Sequence, residues 1–189
     1  AAFSTAVGSL LYILGAPEQF SLPFRQKYMD HLLLVRTHGV AASLTLLLGP
    51  LQFSRTRGFS HRVLGYSYLL GSLVGALTAL SLSFMALGGP GSQLGFLLMS
   101  LLWIITALKD IQSARARFFR EHRMWVIRSF SRAFGAVVLR FYLYCAEALG
   151  GEFYSLYPTS VWISWLPCLL AGEYAIQKNS PKGDLAKLS

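Results

Sequence analysis

Six apolar runs, separated by short polar loops, set the pattern of this chain. A helix that crosses a bilayer needs about 20 mostly apolar residues. The runs cover residues 3–16, 32–53, 63–87, 93–108, 124–148 and 159–176, the first of them short. They predict an all-α transmembrane bundle of about six helices, one domain over residues 1–176, with a polar tail at 177–189. Pro17 and Pro23 bracket a polar loop that reaches Asp30, and Gly88-Gly89-Pro90-Gly91 is the tight turn between the third and fourth runs. The chain opens on Ala1-Ala2 without a Met, and residues 6–16 have no basic stretch before them. They read as the remnant of a first transmembrane helix rather than as a signal peptide.

Packing devices accompany the runs. Gly71 and Gly75 form a small-residue pair four apart, with Ala79 one turn further. Such residues let helix backbones approach where lipid gives no hydrophobic drive. Tyr154, Tyr157, Trp162 and Trp165 gather at one end of the last run, as an interfacial aromatic belt does.

Composition strengthens the membrane reading. Apolar types make up 54% of the chain and charged types 13%, where a soluble domain carries roughly a quarter charged residues. So few charges could not cover a water-facing surface. The net charge is +9, but the basic residues collect in particular loops. Arg55, Arg57, His61 and Arg62 lie between runs two and three; Lys109, Arg115, Arg117, Arg120 and Arg123 lie between four and five. The opposite loops carry little positive charge: 88–92 has none and 146–158 holds Glu147 and Glu152. The positive-inside rule therefore places the basic loops and the C-terminus on the inner side. Arg25 and Lys27 in the first loop run against this pattern. Basic residues in loops, with aromatics in or beside apolar runs, do not make a nucleic-acid surface. Cys145 and Cys168 fall in apolar segments and read as packing residues.

Ionisable residues inside a bilayer are costly and mark candidate sites. At about 1.5 Å per residue, His38 falls about 9 Å below the outer edge of its run and Arg140 about 24 Å along its own. The two thus share an outer level, near Arg36 and Glu147. The inner level is richer. It holds Gln52, Arg57, His61, Arg62, His122, Arg123, Arg128 and Arg132, and Glu173, about 21 Å down the last run, is a counter-charge for Arg128 or Arg132. Two neutral imidazoles at equal depth on different helices can ligate one b-type haem, which makes His61 and His122 candidate metal ligands. A quinone or an anionic lipid headgroup also suits a His/Arg layer. Against these stand simpler roles: arginines at helix ends snorkel to lipid phosphate, and an interfacial His commonly caps or hydrogen-bonds. Paired carboxylates in a cleft, a phosphate loop after a strand, and an acid placed to orient a Ser–His pair are not recognisable.

The segments His38-Gly39, Gly49-Pro50-Leu51-Gln52-Phe53, His61-Arg62-Val63-Leu64-Gly65 and Tyr68 resemble a family of predicted multi-pass membrane proteins of unknown function. So do Trp103, His122-Arg123-Met124-Trp125, Arg128-Ser129 and Arg140. The resemblance spans about residues 30 to 145 and implies a helical membrane fold without implying an activity. The family order at the fifth run looks like His-x-Trp-Met, whereas Met124 precedes Trp125 here. The His pattern is also loosely similar to membrane b-type cytochromes, with room for one haem.

The sequence thus points to a multi-pass, redox-linked membrane protein with an inner site of Gln52, His61, Arg62, His122, Arg128 and Glu173 and a second spot at His38 and Arg140. The expected cofactor is haem b or a quinone. The alternatives are a non-catalytic subunit of a larger membrane complex and a lipid-binding protein. The expected partners are membrane lipids and other membrane subunits, not nucleic acid, in a bacterial or organelle inner membrane.

Overall fold

The computed structural model describes residues 6–8, 10–11, 14–15, 25–26, 29–53 and 58–179. Five long helices follow one another: α1 (Leu32–Gln52), α2 (Phe59–Ser83), α3 (Pro90–Arg115), α4 (Phe119–Ala148) and α5 (Phe153–Lys178). No strand occurs among the described residues, so the expected all-α bundle is the fold. Half of the short first run, 3–16, and most of the tail lie outside the described residues, as do Arg55 and Arg57; Gln177 and Lys178, assigned to the tail, belong to α5.

Each helix packs on the next in sequence, α1 also meets α4, and α3 also meets α5. Helices α1, α2 and α3 are each long and apolar enough to cross a membrane. α4 and α5 are of similar length but fall below that standard of apolarity. α4 carries seven charged side chains along 30 residues, and α5 is interrupted by Pro158 and Pro167.

The predicted turn between α2 and α3 is present. Gly88 and Gly89 take positive φ angles of 81° and 77°, which side chains with a Cβ resist. Pro90 then occupies the first turn of α3, where its missing N–H costs no hydrogen bond. The Gly71/Gly75 pair faces two partners. A Cβ at Gly71 would sit 3.2 Å from the Ala41 carbonyl oxygen of α1, and one at Gly75 would meet the Trp103 ring of α3 at 3.0 Å. The pair therefore brings α1 close and seats an indole from the other side.

Most buried hydroxyls in the bundle are settled within their own helix. Thr45 donates to Ala41 at 2.9 Å, Ser100 to Leu97 at 2.8 Å and Ser160 to Tyr157 at 2.7 Å. This back-bonding lets polar residues sit in an apolar interior without a distant partner. The polar groups that do reach between helices gather mainly toward the basic ends of α2–α5.

Candidate functional site at the basic end

α4 buries Val126, Ser129, Arg132, Ala133 and Val137, a helical stripe that carries two polar residues inward. α3 buries Trp103, Thr106, Ala107, Asp110 and Ser113 in the same way. Where these stripes face each other, near the α3–α4 turn, His122 Nδ1 lies 2.5 Å from Asp110 Oδ1. The two atoms meet as an ion pair, and neither has a hydrogen-bond partner elsewhere among the described residues. Asp110 is 5% exposed, which makes a lone carboxylate there expensive and His122 its natural charge partner. The same contact holds the imidazole above its ordinary proton affinity, against the opposing effect of burial. His122 stands outside the apolar stretch of α4, so this pair sits at the mouth of the bundle.

Deeper on α4, Arg128 grips Glu173 of α5 with both nitrogens of one guanidinium edge. Its Nε donates to Oε1 at 2.5 Å and its Nη2 to Oε2 at 2.9 Å. Of the two counter-charges expected for Glu173, this is the one it takes. The Trp125 ring lies 4.5 Å from the Arg128 guanidinium carbon and adds a cation–π contact. Beside it, the Tyr68 hydroxyl of α2 donates to Ser129 Oγ at 3.0 Å, fully inside the bundle. Arg132, one turn beyond Arg128, is 3% exposed. Its Nε and Nη2 have no hydrogen-bond partner among the described residues. Tyr68, Arg128 and Glu173 lie within its electrostatic reach.

The other expected residues are placed as follows. Gln52 returns its amide to the Leu48 carbonyl at 3.4 Å, and its side-chain oxygen abuts Gly65 at the start of α2. His61 is half-buried in the first turn of α2, while Arg62 is exposed. At the opposite end, His38 Nδ1 lies 3.0 Å from the Gly75 carbonyl oxygen and 3.2 Å from Thr78 Oγ1. A carbonyl only accepts, so Nδ1 carries the proton and ties α1 to α2. Arg140 donates to its own helix at Ala136 (3.1 Å) and is exposed, within electrostatic reach of His38.

Asp110 was not singled out in the sequence, and Tyr68 and Ser129 entered only through the motifs of the family resemblance, without a place in the site. The fourth run was taken to end at residue 108, which put Asp110 in a loop; α3 continues to Arg115 and keeps it on the buried stripe. Its spacing, seven residues after Trp103 and four after Thr106, is the signal that marks it. Among the described residues, no three or more His, Cys, Asp and Glu side chains gather as a metal-binding group.

A family model described as a predicted membrane protein (DUF2306) matches residues 35–176. The chain belongs to this family. It is thus a membrane protein, and its apolar helices contact lipid. The match runs through all the groups described above, from His38 to Glu173. No curated protein and no solved structure matches the chain.

Proposed function

We propose that this membrane protein binds a quinone headgroup at its basic end, with His122 as the hydrogen-bonding contact. The observation that carries the reading is the Asp110–His122 pair, closed to 2.5 Å at the mouth of the bundle. A carboxylate on Nδ1 fixes the ring and its tautomer, which leaves Nε2 as the single nitrogen for another molecule. A quinone carbonyl accepts a hydrogen bond from Nε2–H, and Asp110 holds the imidazole in place for that contact.

The same pair also supports a second reading. Metal-bound histidines characteristically give their other ring nitrogen to a carboxylate, so His122 backed by Asp110 is dressed as a haem ligand, with His61 as the second.

Purified protein tests both. Organic extraction of the wild type should yield a stoichiometric quinone that is lost from His122→Ala and kept by His31→Ala. An extract without quinone, together with no binding of an added short-chain quinone, overturns the first reading. An oxidised-minus-reduced visible spectrum without a Soret shift overturns the second.

A further inference from the structure

We propose that the middle of the bundle holds a binding site for a single carboxylate, built around Arg132. It uses residues other than the Asp110–His122 pair and does not rest on the quinone reading.

Arg132 is a fully buried cation, and both atoms of one guanidinium edge, Nε and Nη2, are without a partner among the described residues. The Nε/Nη2 edge is the one that meets the two oxygens of a carboxylate side by side. Arg128, one turn away, uses this very edge on Glu173. The two acids that reach between helices at this end are spent, Glu173 on Arg128 and Asp110 on His122, and Glu121 in the first turn of α4 is exposed. A charge left unpaired in so apolar a place is among the costliest features a fold can keep.

Arg132 is not alone at its level. Trp103 on α3 and Trp165 on α5 are 4% and 3% exposed, and each indole N–H lacks a partner among the described residues. Buried indoles normally find one. Each of the three residues stands twelve or thirteen positions in from the basic end of its helix, about 18–20 Å at the α-helical rise. The contacts agree with a common level: Trp103 packs in one cluster with Ala133, next to Arg132, and Trp165 lies against Gly135, one turn on. Three helices thus each place one unspent polar group within about a turn of one depth, and one of these groups carries a charge unmatched among the described residues. Most buried hydroxyls of the bundle turn back on their own helices, so this layer departs from the molecule's own habit.

The chemistry of the layer selects the ligand. A guanidinium edge with two indole N–H groups offers donors only and a single positive charge. A monoanion with two clustered oxygens satisfies it, whereas a dianionic phosphate would bring a second charge that nothing there balances. The carboxylate of a fatty acid, with its chain lying among the helices, and that of a small soluble acid share this chemistry.

The full chain in nanodiscs of zwitterionic lipid, titrated with sodium oleate, methyl oleate and benzoate and followed by tryptophan fluorescence, tests the site. Oleate should saturate at least tenfold more tightly than methyl oleate, and Arg132→Gln should weaken it at least tenfold, with Arg132→Lys between. Competition by benzoate assigns the site to soluble carboxylates, and its absence assigns it to lipid-borne ones. Equal titration by oleate and its ester, or unchanged oleate binding by Arg132→Gln, overturns the proposal. Should Arg132→Gln fail to fold, Trp165→Phe removes one donor and keeps the ring. It should weaken oleate several-fold, and unchanged affinity would equally overturn the site.

Discussion

Arg128 and Arg132 stand one turn apart on α4, and the carboxylate of Glu173 closes on the first alone. The asymmetry follows from where α5 crosses α4. Glu173 lies level with Arg128, so its two oxygens are used before they could reach the next turn. One arginine of the pair becomes a clamp between helices, and the other keeps its hydrogen-bonding edge.

Glu173→Gln should destabilise the bundle by about 1–3 kcal/mol, the scale of a charged hydrogen bond lost at a partly buried site. Thermal unfolding in detergent measures it. Replacing Arg128 with Met in the same chain should recover part of the loss, because no unpaired charge then remains on that turn. If the double variant is less stable than the sum of the two single changes, the clamp is not what the change removed.

His122 gives a pH dependence with a defined sign. Its proton is held more tightly in the folded protein than in the unfolded chain. The contribution is therefore complete below the ordinary histidine range and is lost as pH rises through the raised folded value. The melting temperature of the wild type should fall across that rise, and Asp110→Asn should flatten this part of the profile. A wild-type profile parallel to that of Asp110→Asn from pH 5 to 9 would remove the pair from any account of stability.

Tyr68→Phe removes a buried hydroxyl that donates to Ser129 at 3.0 Å. The expected cost is about 1 kcal/mol, and Ser129→Ala should cost a similar amount. The two changes together should cost less than their sum, since either one breaks the same bond. Simple additivity in a denaturation series would show that the two hydroxyls act separately.

Gly75→Leu should be the most damaging of these changes. Even a Cβ there comes within 3.0 Å of the Trp103 ring, so a longer side chain must push α2 from α3. Gly89→Leu, at a position with open space but a φ of 77°, should instead cost about 1 kcal/mol through backbone strain alone. Comparing the two by thermal unfolding separates crowding from strain.

Apolar runs revealed α1 to α3 because each is greasy around its whole circumference. The Gly88-Gly89-Pro90 turn was readable because its residues have few other uses. Boundaries were less visible. Hydropathy ended the fourth run at Lys109 and Asp110, although the contact with His122 lets the helix carry Asp110 inward while Lys109 stays exposed. It also began the last run after Pro158, which α5 includes in its second turn. Depth along the helices was enough to place Glu173 beside Arg128 or Arg132, but the choice between them depends on the crossing of α4 and α5. Rotation about the helix axis decides whether an arginine faces lipid or the interior. Arg132 falls on the buried stripe with Ser129 and Ala133, whereas Arg140 is exposed.

The shortfall of apolar character in α4 bears on how the protein is made. A ribosome delivers α1, α2 and α3 first, and each can leave the translocation channel for lipid unaided. α4 arrives with arginines that hydrocarbon rejects, and the acid that neutralises one of them is 45 residues away, in the helix that follows. Insertion of α4 and α5 together, as a hairpin, is the course that spares Arg128 a passage into lipid without its partner.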